Sequence, residues 1–258
     1  MPPPLEFVDS THIRIGRDRW LYFGGCNYLG LSFDARVRRA LMRSVRTQPL
    51  QSGASRRTTG EQVEYLRVEK QLARFFQAED AVVVGSGYLA PLAAIHAVRP
   101  TITHILLDDT VHAALQDAAA VAGCPVRPFP SGVLNALKTA LATLPREAHP
   151  LVACDATRAA CGGLNPVDAY LRILPRRGLL LVDDAHGPGA IGPGGRGVCA
   201  ALGVKDPRVI QSISLAKGIG VTGGAVLGSH HWMTALRTSA ASFVGSTAPL
   251  LSAMAAVE

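Results

Sequence analysis

One stretch of the chain constrains its fold more than any other, residues 209–229, which read VIQSISLAKGIGVTGGAVLGS. Residues 209–214 form an apolar run of strand length, a glycine-rich turn follows, and residues 225–227 predict a second strand. Lys217 therefore lies where a strand passes into a loop. Its small neighbours leave room for a flat ligand, and desolvation there would lower the pKa of its amine, as a Schiff-base lysine requires. The alternative interpretation is a solvated loop lysine.

A second run of strand length ends in two carboxylates. Residues 178–184 read GLLLVDD, and His186 and the glycine-rich GPGAIGPGGRG follow. In an open parallel sheet, ligands bind beyond the carboxyl ends of the strands, so Asp183 and His186 would reach one edge together. Pyridoxal phosphate needs a lysine for its aldehyde, a carboxylate for its ring nitrogen and a donor near its phenolic oxygen.

Several motifs together resemble the α-oxoamine synthase family of fold-type I pyridoxal phosphate enzymes. VDDAHGPGAIGPGGRG and SLAKGIG carry the resemblance, with NYLGLS at 27–32, SGASRRTTG at 52–60, SGY at 86–88 and D-x-x-x-H at 108–112. The likeness covers most of the chain in order. It implies an α/β fold, the large domain of a fold-type I transferase, with a mostly parallel sheet flanked by helices and without the family's small C-terminal domain.

The resemblance also implies a role for each site residue. Lys217 would hold the cofactor and act as general base, Asp183 would keep the ring nitrogen protonated, His112 would stack on the ring, and His186 would bond the phenolic oxygen. These four residues are the predicted catalytic set. Four other residues are predicted to bind the cofactor phosphate: Ser86, Gly87, Tyr88 and Ser214. Thr247 is predicted to reach the phosphate that a partner subunit binds.

Two departures from the family's pattern bear on activity. In residues 155–167, DATRAACGGLNPV, Asp155 stands for the family's glutamate and Ala159 for the serine that supports the phenolic oxygen. The chain also ends where family members continue into a C-terminal domain that carries a carboxylate-binding arginine. The resemblance thus implies a pyridoxal phosphate-dependent acyltransferase that condenses an amino acid with an acyl-CoA thioester, usually with loss of carbon dioxide. The alternative is a catalytically impaired or non-catalytic partner subunit of a longer homologue.

The composition limits which classes of partner and site we expect for this chain. The net charge of +7 comes from scattered arginines without interleaved aromatic residues, which does not favour nucleic-acid binding. The five cysteines form no CxxC pair, so we expect no metal site and reduced thiols in the cytoplasm.

Residues 81–98 lack charge, but glycines and a proline divide them, which argues against a membrane span. No GxxxxGK motif supports a nucleotide-binding module. The resemblance implies a homodimer or a heteromer.

The coarse organisation predicts an N-terminal arm with the first helix, residues 1–50, and a cofactor-binding large domain, residues 51–258. Residues 12–23 predict a hairpin or extended arm, and residues 34–47 a helix. Thr58 and Glu61 have the spacing of a capping box for the next helix. Arg56 and Arg57, in the loop before it, would meet an anionic substrate or form a solvated pair.

Overall fold

The computed structural model describes residues 3–158 and 161–258. The chain folds as α/β, with helices on both faces of a central seven-stranded sheet. A small antiparallel hairpin sheet precedes it, made of β1 (Glu6–Phe7), β2 (His12–Ile15) and β3 (Asp18–Leu21). The predicted hairpin and the predicted α/β class are both confirmed.

The remaining strands follow in chain order as β4 (Asp80–Val84), β5 (His104–Asp108), β6 (Val126–Phe129), β7 (Pro150–Asp155), β8 (Thr157–Arg158), β9 (Gly163–Leu164), β10 (Leu179–Asp183), β11 (Val209–Ser214) and β12 (Gly224–Gly228). Strands β8 and β9 pair only with each other. The others form the central sheet in the order β4-β12-β11-β10-β7-β5-β6. Only β12 runs antiparallel to its neighbours. The carboxyl ends of β4, β5, β7, β10 and β11 therefore share one edge.

The helices are α1 (Ala35–Thr47), α2 (Val63–Phe76), α3 (Leu89–Val98), α4 (Ala113–Ala120), α5 (Leu134–Ala142), α6 (Val167–Ile173), α7 (Gly197–Ala201), α8 (His230–Ser239), α9 (Ala241–Val244) and α10 (Leu251–Val257). Asp34 caps α1 by accepting from the Arg36 N–H, which explains why the helix begins directly after it. In the part of the chain that the structure describes, no helix has the length and apolar character needed to cross a bilayer.

The sheet is buried on both faces, which is why its strands read as continuous apolar runs rather than alternating ones. All five residues of β10 are buried. One face packs against α3, α4 and α8. The other face packs against α2 and α10 at one end and against α5, α6 and α7 at the other. This two-sided core fixes the strand ends that carry the polar groups described below.

Two expectations about residues 56–61 are wrong. Helix α2 begins at Val63 with no side-chain cap, and the Thr58 hydroxyl instead donates to the Ser55 carbonyl. Glu61 binds Arg56, whose guanidinium is buried between Glu61 and Glu69. Arg56 is thus neither solvated nor free to meet a substrate. A buried guanidinium needs carboxylate partners more than an exposed helix start needs a cap, so Glu61 is used there.

Candidate active site

A cleft of about 770 Å³ opens at the carboxyl edge of the sheet. Seven predicted site residues line it together: Lys217, His112, Asp183, His186, Gly87, Tyr88 and Ser214. They lie at the ends of four different strands, β4, β5, β10 and β11, or in the segments that directly follow them. The parallel arrangement of those strands brings the residues together, as expected for an open α/β sheet.

Lys217 stands in the turn that joins β11 to β12. Backbone bonds from Leu215 to Gly223 and from Gly220 to Lys217 hold that turn closed. A Cβ at Gly218 would come within 1.9 Å of the Pro188 carbonyl oxygen, so only glycine permits this approach. The amine is half-buried, and burial lowers its pKa although nearby Asp183 opposes the shift. A larger fraction of the amine is therefore uncharged at neutral pH than for an exposed lysine.

A hydrogen-bonded chain joins Lys217 to Tyr28 through one imidazole. The Lys217 Nζ lies 2.8 Å from His186 Nε2, and the Tyr28 hydroxyl lies 2.5 Å from His186 Nδ1. Burial, with a smaller contribution from Lys217, lowers the pKa of His186. Burial also raises the pKa of Tyr28 to about 12. When the hydroxyl donates to Nδ1, the neutral imidazole has its proton on Nε2 and can donate only to an uncharged Lys217 amine.

The two consecutive aspartates at the end of β10 face different surroundings. Asp183 points into the cleft and is almost fully buried; burial first, and then the charge of Asp155, raise its pKa to about 7. Asp184 accepts from the Val198 N–H and from Gln211, and burial raises its pKa to about 6. Asp184 thus stabilises the loop after β10, whereas Asp183 is available to a ligand.

His112 caps α4 and presents its ring to the cleft. Its ring Nδ1 accepts from the Ala114 N–H at 3.1 Å, and the backbone N–H of His112 donates to Asp155 Oδ2 at 2.9 Å. The ring meets Tyr88 edge-on with centroids 6.1 Å apart. The Tyr88 hydroxyl in turn donates to Asp117. The orientation of His112 is therefore fixed from both sides before any ligand binds.

The loop between β4 and α3 meets Ser214 at close range. A Cβ at Gly87 would lie 2.8 Å from both Cβ and Oγ of Ser214, so this position has room only for glycine. The Ser86 hydroxyl accepts from the Leu89 N–H at 3.2 Å and does not line the cleft. Of the residues predicted to bind the phosphate, Gly87, Tyr88 and Ser214 thus line the cleft, whereas the Ser86 hydroxyl is hydrogen-bonded to the first residue of α3.

Two further positions singled out in the sequence are Thr247 and Ala159. Thr247 lies outside the cleft, beside Gly85 and Arg56 on a separate small hollow, so its expected role toward a partner subunit stays a prediction. Ala159, which stands for the family's serine, is outside the described residues. Among residues 3–158 and 161–258, no cluster of histidine, cysteine and carboxylate side chains could hold a metal ion.

Among the other residues that line the cleft are Tyr28, Asp155 and Arg158, to which the sequence assigned no role. Asp155 ends β7 directly beside Asp183, and burial raises its pKa to about 6. Its position at a strand end was a usable signal. Tyr28 lies within the NYLGLS motif, but nothing local indicates its contact with His186. Arg158 has no sequence signal at all.

Comparisons with known proteins agree with this architecture. The family model described as Aminotransferase class I and II matches residues 20–258. An 8-amino-7-oxononanoate synthase of Mycobacterium sp. (strain KMS) is 38% identical over 204 residues, which cover 78% of this chain and 53% of that protein. The resemblance inferred from the motifs is confirmed by these matches.

Solved structures give the same result. Serine palmitoyltransferase of Sphingomonas wittichii superposes with a TM-score of 0.91 at 26% identity, covering 97% of this chain and 63% of that one. A structure of SPT with a PLP internal aldimine gives a TM-score of 0.91 at 25% identity, with 98% and 64% covered. The chain spans between 34% and 61% of the length of the curated relatives described by these matches.

Proposed function

Because the chain belongs to the aminotransferase class I and II family, we propose that it binds pyridoxal 5′-phosphate and condenses an amino acid with an acyl-CoA thioester, releasing the thiol. One observation carries the proposal. The half-buried amine of Lys217 shares a cleft with the buried carboxyl of Asp183 and lies 2.8 Å from the imidazole of His186. An amine, a carboxyl and a hydrogen-bonding imidazole are the groups that this cofactor needs.

The residues of the cleft fit the cofactor. The close approach of Gly87 to Ser214 leaves backbone N–H groups and a hydroxyl beside the start of α3, where a phosphate is favoured. The buried Asp155 Oδ1 has no hydrogen-bond partner within the described residues, and it lies beside Asp183. Two acidic groups at the floor of the cleft suit a protonated ring nitrogen.

Each site residue then has a place. Lys217 would hold the aldehyde, Asp183 the ring nitrogen, His112 the ring face and His186 the phenolic oxygen. The start of α3, residues 86–88, would hold the phosphate with Ser214. Pyridoxal phosphate, when bound, supplies an electron sink for negative charge at the α-carbon of an amino acid.

The protein's own residues would move the protons. Burial lowers the pKa of Lys217, which increases the fraction of free amine that can remove the α-proton as general base. His186, held neutral by burial and fixed by Tyr28, would keep that amine aligned. Asp183 would be ionised opposite a cationic ring nitrogen, because an opposite charge lowers the pKa of a carboxyl.

We further propose that the chain works as a homodimer or as a heteromer with a longer relative, in the cytoplasm. Large apolar side chains are exposed on the N-terminal arm, among them Phe23 at 90%, Leu21 at 60% and Trp20 at 56%. A surface of this kind on a folded chain suits a protein partner. All five cysteines are free thiols, which suits a reducing compartment. The same surface supports a second candidate function, a non-catalytic subunit paired with a longer relative.

Absorbance spectroscopy tests the enzyme proposal. The purified chain is incubated with pyridoxal phosphate and dialysed, and visible absorbance is recorded before and after addition of glycine, alanine or serine. We expect a bound chromophore that changes with one amino acid and is absent in Lys217→Ala. Equal retention of a reducible cofactor adduct by Lys217→Ala would refute the assignment of Lys217. Retention by neither protein, together with copurification of a longer relative, would favour the non-catalytic subunit.

A further inference from the structure

Arg158 lies in the small β8–β9 hairpin and lines the same cleft as Lys217. The preceding strand, β7, ends at Asp155, so the hairpin projects from the ligand-binding edge of the sheet. None of the roles described above uses this guanidinium.

Two glycines leave the space that the Arg158 guanidinium occupies. A Cβ at Gly132 would come within 2.8 Å of Nη1, and a Cβ at Gly163 within 2.5 Å of Nη2. Any larger residue at either position would displace the guanidinium. The Nε atom is buried and has no hydrogen-bond partner in the part of the chain that the structure describes. The two glycines thus leave room for the guanidinium, and one of its donors is unsatisfied, a state that costs free energy.

Within residues 3–158 and 161–258, Arg158 also lacks an ion pair, whereas three other arginines with restricted exposure each have a carboxylate partner. Arg56 lies 2.6 Å from Glu69, Arg237 lies 2.6 Å from Asp80, and Arg208 lies 2.9 Å from Asp206. Among the described residues that line the cleft, one is a lysine, Lys217, and one is an arginine, Arg158. When the Lys217 amine is committed to the cofactor aldehyde, Arg158 remains as a cation on the described cleft wall that can meet a substrate.

We propose that Arg158 binds an oxyanion of the substrate, a determinant of substrate binding that rests on the proposed function. Its planar fork of N–H donors matches a carboxylate or a phosphate group. Two sources supply such a group to this cleft, the carboxylate of the amino acid and a phosphate of coenzyme A. Both share the chemistry, and separate titrations distinguish them.

The test is calorimetric titration of the chain loaded with pyridoxal phosphate. Alanine, glycine and serine are titrated separately from coenzyme A, into wild type, Arg158→Gln and Arg158→Lys. Because a hydrogen bond to a charged group contributes about 1.5 to 3 kcal/mol, Arg158→Gln should weaken one of the two ligand classes ~10-fold to 100-fold. The other class should change less than about twofold, and Arg158→Lys should recover part of the loss. Arg172→Gln is the matched control, since Arg172 pairs with Asp168 on the surface of α6, outside the cleft.

A second measurement, made on the wild type, tests the proposal even if the Arg158→Gln variant misfolds. Phenylglyoxal modifies accessible arginines, and mass spectrometry of wild-type peptides shows whether the same ligand slows modification at Arg158 but not at Arg172. Unchanged affinities for both ligand classes in Arg158→Gln, or no binding of either by loaded wild type, would overturn the proposal. The proposed function fails separately, if the wild type takes up no pyridoxal phosphate or if Lys217→Ala takes it up equally.

Discussion

Asp155 and Asp183 are register partners at the carboxyl ends of the parallel strands β7 and β10, and the charge of Asp155 adds to burial in raising the pKa of Asp183 to about 7. Two acidic groups are thus held side by side in a cleft that also contains Lys217. Like charges in a poorly solvated place disfavour ionisation, so the cofactor-free chain pays a stability penalty at neutral pH. A cationic ligand atom beside Asp183 would remove part of that penalty.

The first prediction concerns the pH dependence of folding. Since the pKa of Asp183 rises from 3.8 to about 7 on folding, the folded cofactor-free chain binds this proton more tightly than the unfolded chain. Its contribution to the free energy of unfolding therefore falls as pH rises from about 4 to about 7, and is constant above that range. Asp183→Asn should remove roughly 4 kcal/mol of this decline. Urea unfolding across this range measures it, and parallel pH profiles for the two proteins would contradict it.

The second prediction concerns Tyr28 as a positioning residue. Tyr28→Phe removes the hydroxyl 2.5 Å from His186 Nδ1 and frees the imidazole that lies against Lys217. Loss of one hydrogen bond, about 0.5 to 1.5 kcal/mol, should weaken pyridoxal phosphate binding roughly 2-fold to 10-fold. Absorbance titration measures the affinity. Tyr22→Phe is the control, because Tyr22 packs against Phe7 on the N-terminal arm. Equal affinities for Tyr28→Phe and the wild type would show that His186 is held without this bond.

The third prediction concerns the close approach of Gly87 to Ser214. Gly87→Ala would place a methyl group 2.8 Å from Ser214 Cβ and 3.1 Å from its Cα, a backbone atom that cannot give way easily. We expect a loss of about 1 to 3 kcal/mol in unfolding free energy and weaker cofactor binding. Gly228→Ala, whose nearest contact is the flexible end of Met233 at 3.4 Å, should be tolerated. Urea unfolding of both variants decides the comparison, and similar losses in the two would argue against a special constraint at Gly87.

The fold and the centre of the site could be predicted because both depend on short-range signals. The strands of a two-sided sheet read as apolar runs, and polar residues just after such runs must lie at one edge. Lys217, Asp183 and His186 follow strands in this way. The position of Thr247 relative to the cleft could not be predicted, since it depends on how the segment after α9 packs beside Gly85 at the end of β4.

The features that the sequence did not predict depend on contacts between residues far apart in the chain. Tyr28 and His186 are 158 residues apart in sequence, and no local pattern records their hydrogen bond. Glu61 has the spacing of a capping residue, yet it pairs with the buried Arg56, because tertiary burial outweighs a local helix cap. The space for the Arg158 guanidinium depends on Gly132, in the turn before α5, and on Gly163, in β9. Such contacts are properties of the folded chain and not of any segment.

The last prediction separates two adjacent arginines that the sequence presents as equivalent. The Arg56 guanidinium donates to Glu61, to Glu69 and to the Val83 carbonyl oxygen, and it is buried with Glu69. Arg56→Met would leave Glu69 buried with Arg237 as its remaining ionic partner. Because a buried charge that loses a partner is poorly solvated, we expect a loss of about 3 kcal/mol or more in unfolding free energy. Arg57→Met, at an exposed position, should change it by less than about 0.5 kcal/mol. Urea unfolding of the two single variants measures the difference, and equal effects would mean that the buried ion pairs do not stabilise the loop before α2.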